Sequence, residues 1–223
     1  MRHTEPTQTR LSPDLLLAAY SLGIFPMAES ASSRELFWFD PKRRGVLPLD
    51  DFHLPRRLRR TLRQCGAEIR VDHDFDAVIA GCAAPARGRE GTWINSEIRR
   101  VYRALFDQGA CHTVEVYQDG QLTGGLYGVS IGAAFFGESM FHRRTDASKI
   151  ALAHLFVRLR KGGYSLLDTQ FITEHLRQFG AREIPRSTYR RALKAAIEQT
   201  ADFYCLPTVT SSEVCLQFVS QTS

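Results

Sequence analysis

The stretch from Thr113 to Phe141 constrains the fold most. Thr113 to Tyr117 alternates apolar and polar residues, and Asp119-Gly120 is a strong hairpin turn. Leu122 to Val129 and Ala133 to Phe141 follow as two more strand-like runs. Asp146 is placed to cap a long amphipathic helix carrying Ile150, Leu152, Leu155, Phe156 and Leu159, which ends at Gly162-Gly163. The apolar strand Tyr164 to Asp168 comes next. A meander followed by so long a connection predicts a parallel crossover, hence a mixed α/β sheet.

The flanking segments supply helices. Ser12-Pro13 starts one with Leu15, Leu16, Ala19 and Tyr20 on a stripe, stopped by Gly23. Pro-rich irregular chain with several aromatics follows. Leu54 to Cys65 reads as a basic helix, Glu68 to Val71 as a strand and Phe75 to Cys82 as a helix. Asn95 caps a helix with Ile98, Val101, Tyr102, Leu105 and Phe106 on one face, ended by Gly109. Thr173 and Ser187 are set to cap the last two helices. The expected organisation is a small N-terminal domain over 1–54, a catalytic domain over 55–205 and a loosely attached tail over 206–223. The element order of the larger domain resembles the GCN5-related N-acetyltransferase fold, an acyltransferase architecture.

In that fold a glycine-rich loop and a helix N-terminus hold the coenzyme A pyrophosphate. Here the stretch Phe141 to Lys149 has no glycine and sets Asp146 at the helix end, where a carboxylate competes with phosphate. That argues against coenzyme A. The basic residues suggest another donor. The net charge is +5, and the excess lies between Lys42 and Arg70, where nine basic residues face only Asp50, Asp51 and Glu68. Arg56, Arg59, Arg60 and Arg63 share one helical face, which suits a nucleic-acid backbone. A solvated face without a partner is the alternative.

Two acidic positions carry the remaining chemistry. Glu138, among Phe135, Phe136, Met140 and Phe141, must be paired, hydrogen-bonded or open to a cavity, since a lone buried carboxylate is costly. It is either an anchor for a substrate cation or a strand residue on a wet face. Asp168 ends an apolar strand, where such folds bind ligands, and Gln170 shares its side-chain direction if the strand continues. Together they could orient an amine and accept its proton. A turn Asp is the competing reading. The seven histidines and five cysteines show no metal-ligand spacing and no C-x-x-C. Reduced thiols in a cytoplasm fit the odd cysteine count, and no apolar run approaches the ~20 residues of a membrane span.

The ordered set GIFPM (Gly23 to Met27), WFDPKRRGVLPL (Trp38 to Leu49), TWI (Thr92 to Ile94), GGLYG (Gly124 to Gly128), FFGESMF (Phe135 to Phe141), DASK (Asp146 to Lys149), LLDTQF (Leu166 to Phe171) and EHLRQFGA (Glu174 to Ala181) resembles the leucyl/phenylalanyl-tRNA–protein transferase family over nearly the whole chain. The resemblance implies transfer of Leu, Phe or Met from aminoacyl-tRNA to proteins beginning with Arg or Lys, marking them for degradation by the N-degron pathway. No cofactor or metal is implied, because an aminoacyl ester is already activated. By the same resemblance the catalytic set is Asp168 and Gln170, which activate or place the acceptor amine, with Glu138 binding substrate beside them. Trp38, Trp93, Leu126, Phe135, Gly137, Ser139, Met140, Leu155 and Leu167 bind substrate. The candidate tRNA contacts are Arg43, Arg44, Arg56, Arg59, Arg60 and Arg63. The sequence departs from the family at Phe39-Asp40, where a second Trp and Ser are common, and at His142, where Ser is common. Both lie near the expected tRNA end. A coenzyme A-dependent acetyltransferase and a non-catalytic tRNA-binding module are the alternatives.

Overall fold

The computed structural model describes residues 2–3, 11–33, 35–85 and 91–219. In chain order the elements are β1 (Arg2–His3), α1 (Pro13–Ser21), β2 (Phe25–Ala28), β3 (Leu36–Phe39), β4 (Arg43–Val46), α2 (Arg56–Gln64), β5 (Glu68–Val71), α3 (Phe75–Ala83), α4 (Ser96–Asp107), β6 (Cys111–Gln118), β7 (Gln121–Ile131), β8 (Ala134–His142), α5 (Ala147–Lys161), β9 (Leu166–Gln170), α6 (Glu174–Arg177), β10 (Arg182–Pro185), α7 (Arg186–Ile197), β11 (Val209–Ser211) and α8 (Val214–Val219). They form a small sheet β1-β3-β2 and a larger one ordered β10-β4-β9-β8-β7-β6-β5-β11. The expected meander is β6-β7-β8, and α5 carries the chain across to β9, which pairs parallel with β8. Two apolar clusters sandwich the larger sheet. One gathers α2 and α5, the other α1, α3, α4 and α7.

Several local signals act as expected. Ser12 accepts from the Leu15 amide, Asn95 from Ile98 and Thr173 from Leu176. Others are overridden. Asp146 sits in the left-handed region at φ 65° and makes no capping bond. Its carboxylate instead takes Lys149 Nζ at 2.8 Å. Ser187 lies inside α7, whose first turn starts at Arg186 after Pro185, a φ-fixed residue that suits a helix start. Helix α5 is not amphipathic but buried nearly all round, from Ala147 to Leu159, because α2 and α8 cover the face turned away from the sheet.

Two segments are more regular than their composition suggests. The proline-rich stretch folds into β2, β3 and β4, and β4 joins the larger sheet between β9 and β10. Residues beyond 206 add β11 to the edge of β5, and Cys215 is buried against α5 and α2. Arg158, fully buried on α5, donates to the carbonyls of Phe203, Leu206 and Pro207, which fastens this segment to the core. Residues 220–223 of the expected tail lie outside the described residues.

Candidate active site

The site is made where β8 and β9 part. Their parallel ladder runs Ala134↔Leu166, Phe135↔Leu167 and Phe136↔Asp168, and stops there. β8 continues along β7, but Ser139 pairs with Tyr127 and Gly137 with Gly128, so Glu138 is an extra residue in a β-bulge. The bulge resets alternation. Phe136 and Phe141, five residues apart, pack in the same cluster, while Phe135 and Met140 face the other. On the opposite side β9 ends at Gln170, held at φ 60°. A non-glycine residue in the left-handed region costs about 1–3 kcal/mol and persists only where its surroundings impose it.

Those surroundings are a polar network. Gln170 Nε2 donates to Glu138 Oε1 at 2.9 Å. The same oxygen accepts from the Tyr20 hydroxyl at 2.6 Å, and Oε2 accepts from the Tyr102 hydroxyl at 2.8 Å. The two hydroxyl oxygens are themselves 2.5 Å apart. Burial pushes the Glu138 carboxyl up to about 7, although its three donors pull the other way. Burial first, and then Glu138, push both tyrosines well above their ordinary range.

Asp168 is fully buried and saturated. Arg44 donates to it from Nε at 2.9 Å and from Nη2 at 2.6 Å, Tyr189 from its hydroxyl at 2.7 Å, and the Gln170 amide N–H at 2.7 Å. Arg44 also donates to the Gly23 carbonyl and lies between the rings of Phe25 and Tyr189, 4.4 and 4.7 Å from their centroids. Burial works against the Arg44 cation, but Asp168 more than offsets it and the guanidinium is raised overall. The structure thus brings Glu138, Gln170 and Asp168 together on one face. It also recruits Tyr20, Tyr102 and Arg44, which sequence reasoning left on helix stripes or on the surface, and Tyr189, which it did not single out. A buried tyrosine hydroxyl needs a partner, and that was the only available signal for the tyrosines.

Other candidates are dispersed. Leu126, Phe135, Leu155 and Leu167 are buried in the α2–α5 cluster with Met140 at its margin, whereas Trp38 and Trp93 are half-buried against the other cluster. Gly137 lies against the Asp168 carbonyl and Ser139 in the ladder with Tyr127. Among the arginines, Arg44 is spent inside the protein, contrary to its expected place on a tRNA-binding surface. Arg43 is exposed and paired with Glu183. On α2, Leu58 and Leu62 face the core and Arg56, Arg60 and Arg63 are exposed or half-exposed, while half-buried Arg59 turns back to the Leu54 carbonyl. Thr61 of the same helix reaches Asp146 Oδ2 at 3.5 Å, so the basic face adjoins the start of α5. No group of three or more His, Cys, Asp and Glu residues able to hold a metal occurs among the described residues.

Similarity to known proteins covers most of the chain. The family model for leucyl/phenylalanyl-tRNA protein transferase matches residues 46–194, and the model of that family's N-terminal domain matches residues 9–42. The chain is an enzyme of the aminoacyltransferase class. It belongs to the leucyl/phenylalanyl-tRNA protein transferase family. Curated relatives of that name include one from Nitrobacter winogradskyi, 58% identical over 203 residues that cover 91% of this chain and 90% of the relative. One from Rhodopseudomonas palustris strain TIE-1 is 57% identical, covering 89% and 88%. One from Paramagnetospirillum magneticum is 57% identical, covering 86% and 92%. No helix among the described residues is long and apolar enough to cross a membrane.

Proposed function

We propose that this chain moves Leu, Phe or Met from aminoacyl-tRNA to the α-amino group of proteins whose first residue is Arg or Lys, and that this marks them for degradation in the cytoplasm. The observation that carries the reading is the opening between β8 and β9, where Glu138 and Gln170 meet each other and the hydroxyls of Tyr20 and Tyr102 in a chain of this family. The aminoacyl ester supplies its own leaving group, so the protein's task is to hold two substrates in line. Such positioning alone is worth about 7–11 kcal/mol in favourable cases.

The parts divide the work as follows. Met140, at the margin of the cluster that holds Leu126, Phe135, Leu155 and Leu167, meets the aminoacyl side chain and reads it by size, at ~1–3 kcal/mol per methylene. Charged side chains are excluded because burying them unpaired is costly. Gln170 and Glu138 receive the acceptor amine, and the anionic carboxylate favours a cationic first residue. Arg56, Arg60 and Arg63 bind the acceptor-stem phosphates, which fix position without reading sequence. The test is transfer of labelled Leu or Phe from charged tRNA to an Arg-starting peptide, with a Glu-starting peptide and acetyl-coenzyme A as controls. Product from the first peptide alone supports the reading. Acetylation from coenzyme A, or tRNA binding without product, overturns it.

A further inference from the structure

Resting on that reading, we propose that Glu138, held by Tyr20 and Tyr102, carries the proton of the transfer step, and that Asp168 is a positioning residue which does not take it. Hydrogen-bond occupancy distinguishes the two carboxylates, each oxygen having two lone pairs. On Asp168, Oδ1 is filled by Arg44 Nε and the Gln170 amide, and Oδ2 by Arg44 Nη2 and the Tyr189 hydroxyl. A substrate proton could enter only by breaking a buried ion pair. On Glu138, Oε1 is filled by Tyr20 and Gln170, but Oε2 accepts only from Tyr102 among the described residues. One acceptor position is left, on the residue that the bulge aims beside the opening.

Proton counting gives the second argument. The oxygens of Tyr20, Tyr102 and Glu138 approach one another pairwise, at 2.5, 2.6 and 2.8 Å. The ionised cluster has two hydroxyl protons for these three approaches, so one of them sets lone pair against lone pair. A proton received at the open position of Oε2 completes the ring once that carboxyl O–H turns to Tyr102 and the Tyr102 hydroxyl turns to Tyr20, each oxygen group then donating once. The cluster is therefore built to take up one proton.

The balanced step follows. The neutral acceptor amine attacks the ester carbonyl, its new N–C bond forms and the C–O bond to the ribose breaks. The proton lost by nitrogen passes to Glu138 and is returned to the ribose oxygen, so the carboxylate ends as it began. Glu138 is faced by Tyr20 on α1, Tyr102 on α4, Gln170 and Asp168 on β9, and more distantly Tyr127 on β7 and Cys111 on β6. Arg44 on β4 interacts with Tyr20 behind them.

The test is the pH dependence of kcat for peptide-bond formation from charged tRNA. Glu138→Gln is expected to lower kcat at least ~100-fold and to remove the acid limb, with aminoacyl-tRNA affinity kept. Tyr102→Phe keeps the carboxylate but breaks the ring of oxygens around it, so the limb is displaced along the pH axis. Asp168→Asn lowers kcat but leaves the limb in place. A limb that survives in Glu138→Gln, or that moves with Asp168→Asn and not with Tyr102→Phe, overturns the proposal while the transfer reading stands. A wild-type chain that forms no product from charged tRNA overturns both.

Discussion

Arg44 and Asp168, 124 residues apart in the chain, form a forked ion pair with side chains only 1% and 0% exposed, and the Arg44 guanidinium seals the N-terminal segment onto the larger sheet. The pair joins β4 to β9 and reaches the Gly23 carbonyl just beyond α1. It is the electrostatic hinge-pin of the site, since Asp168 in turn holds the Gln170 amide.

Arg44→Ala is expected to leave Asp168 charged, buried and unpaired, and to destabilise the chain by about 3–5 kcal/mol in urea unfolding. Arg44→Lys should recover only part of that loss, because an ammonium offers neither the fork nor the stacking between Phe25 and Tyr189. A near-neutral Arg44→Ala would show that the pair contributes little.

The arginines on the outer face of α2 behave differently. Replacing Arg56, Arg60 and Arg63 by Ala should leave unfolding almost unchanged and weaken tRNA binding. The slope of log affinity against log salt should flatten by about 0.7–0.9 for each phosphate no longer neutralised. Fluorescence anisotropy across a salt series measures this, and an unaltered slope would make the helix face merely solvated.

Two buried groups give stability opposite pH dependences. The Glu138 carboxyl is raised to about 7, so the folded chain binds its proton more tightly than the unfolded one. That contribution is full below the ordinary carboxylate range and is lost as pH rises through 7. His154, which burial foremost and then Arg158 push down to about 3, contributes above the ordinary imidazole range and loses it as pH falls toward 3. Unfolding curves of Glu138→Gln should therefore lack the decline of the wild type between about pH 5 and 7.5, on the order of a few kcal/mol. A parallel decline in both proteins would place the titration elsewhere.

Gly128 marks where the bulge needs space. A Cβ there would lie 2.4 Å from both the Phe135 ring and the Phe136 carbonyl. Gly128→Ala is expected to cost about 1–3 kcal/mol through overpacking. It should also lower transfer more than stability alone accounts for, because β8 cannot shift without moving Glu138. Thermal unfolding beside single-turnover assays separates the two effects, and an intact kcat would detach the bulge from the chemistry.

The elements legible in the sequence are those set by neighbours within about a turn of chain. Ser12, Asn95 and Thr173 cap because the donor lies three residues on, Asp119-Gly120 turns because both residues tolerate positive φ, and the meander shows its strands by apolar alternation. Asp146 fails by the same logic, since an ion pair with Lys149 and a hydrogen bond from Thr61 outcompete the cap. The strands β2 to β4 are hidden in the sequence because their pairing partners, not their own spacing, make them strands. The candidate site follows that division. Glu138, Asp168 and Gln170 stand out in sequence as polar residues among apolar ones. Tertiary structure alone decided which carboxylate is sealed by Arg44 and Tyr189 and which keeps a lone pair free. That distinction depends on groups more than 20 residues away and on one inserted strand residue, and the chemistry of a carboxylate is set by the donors that surround it in space.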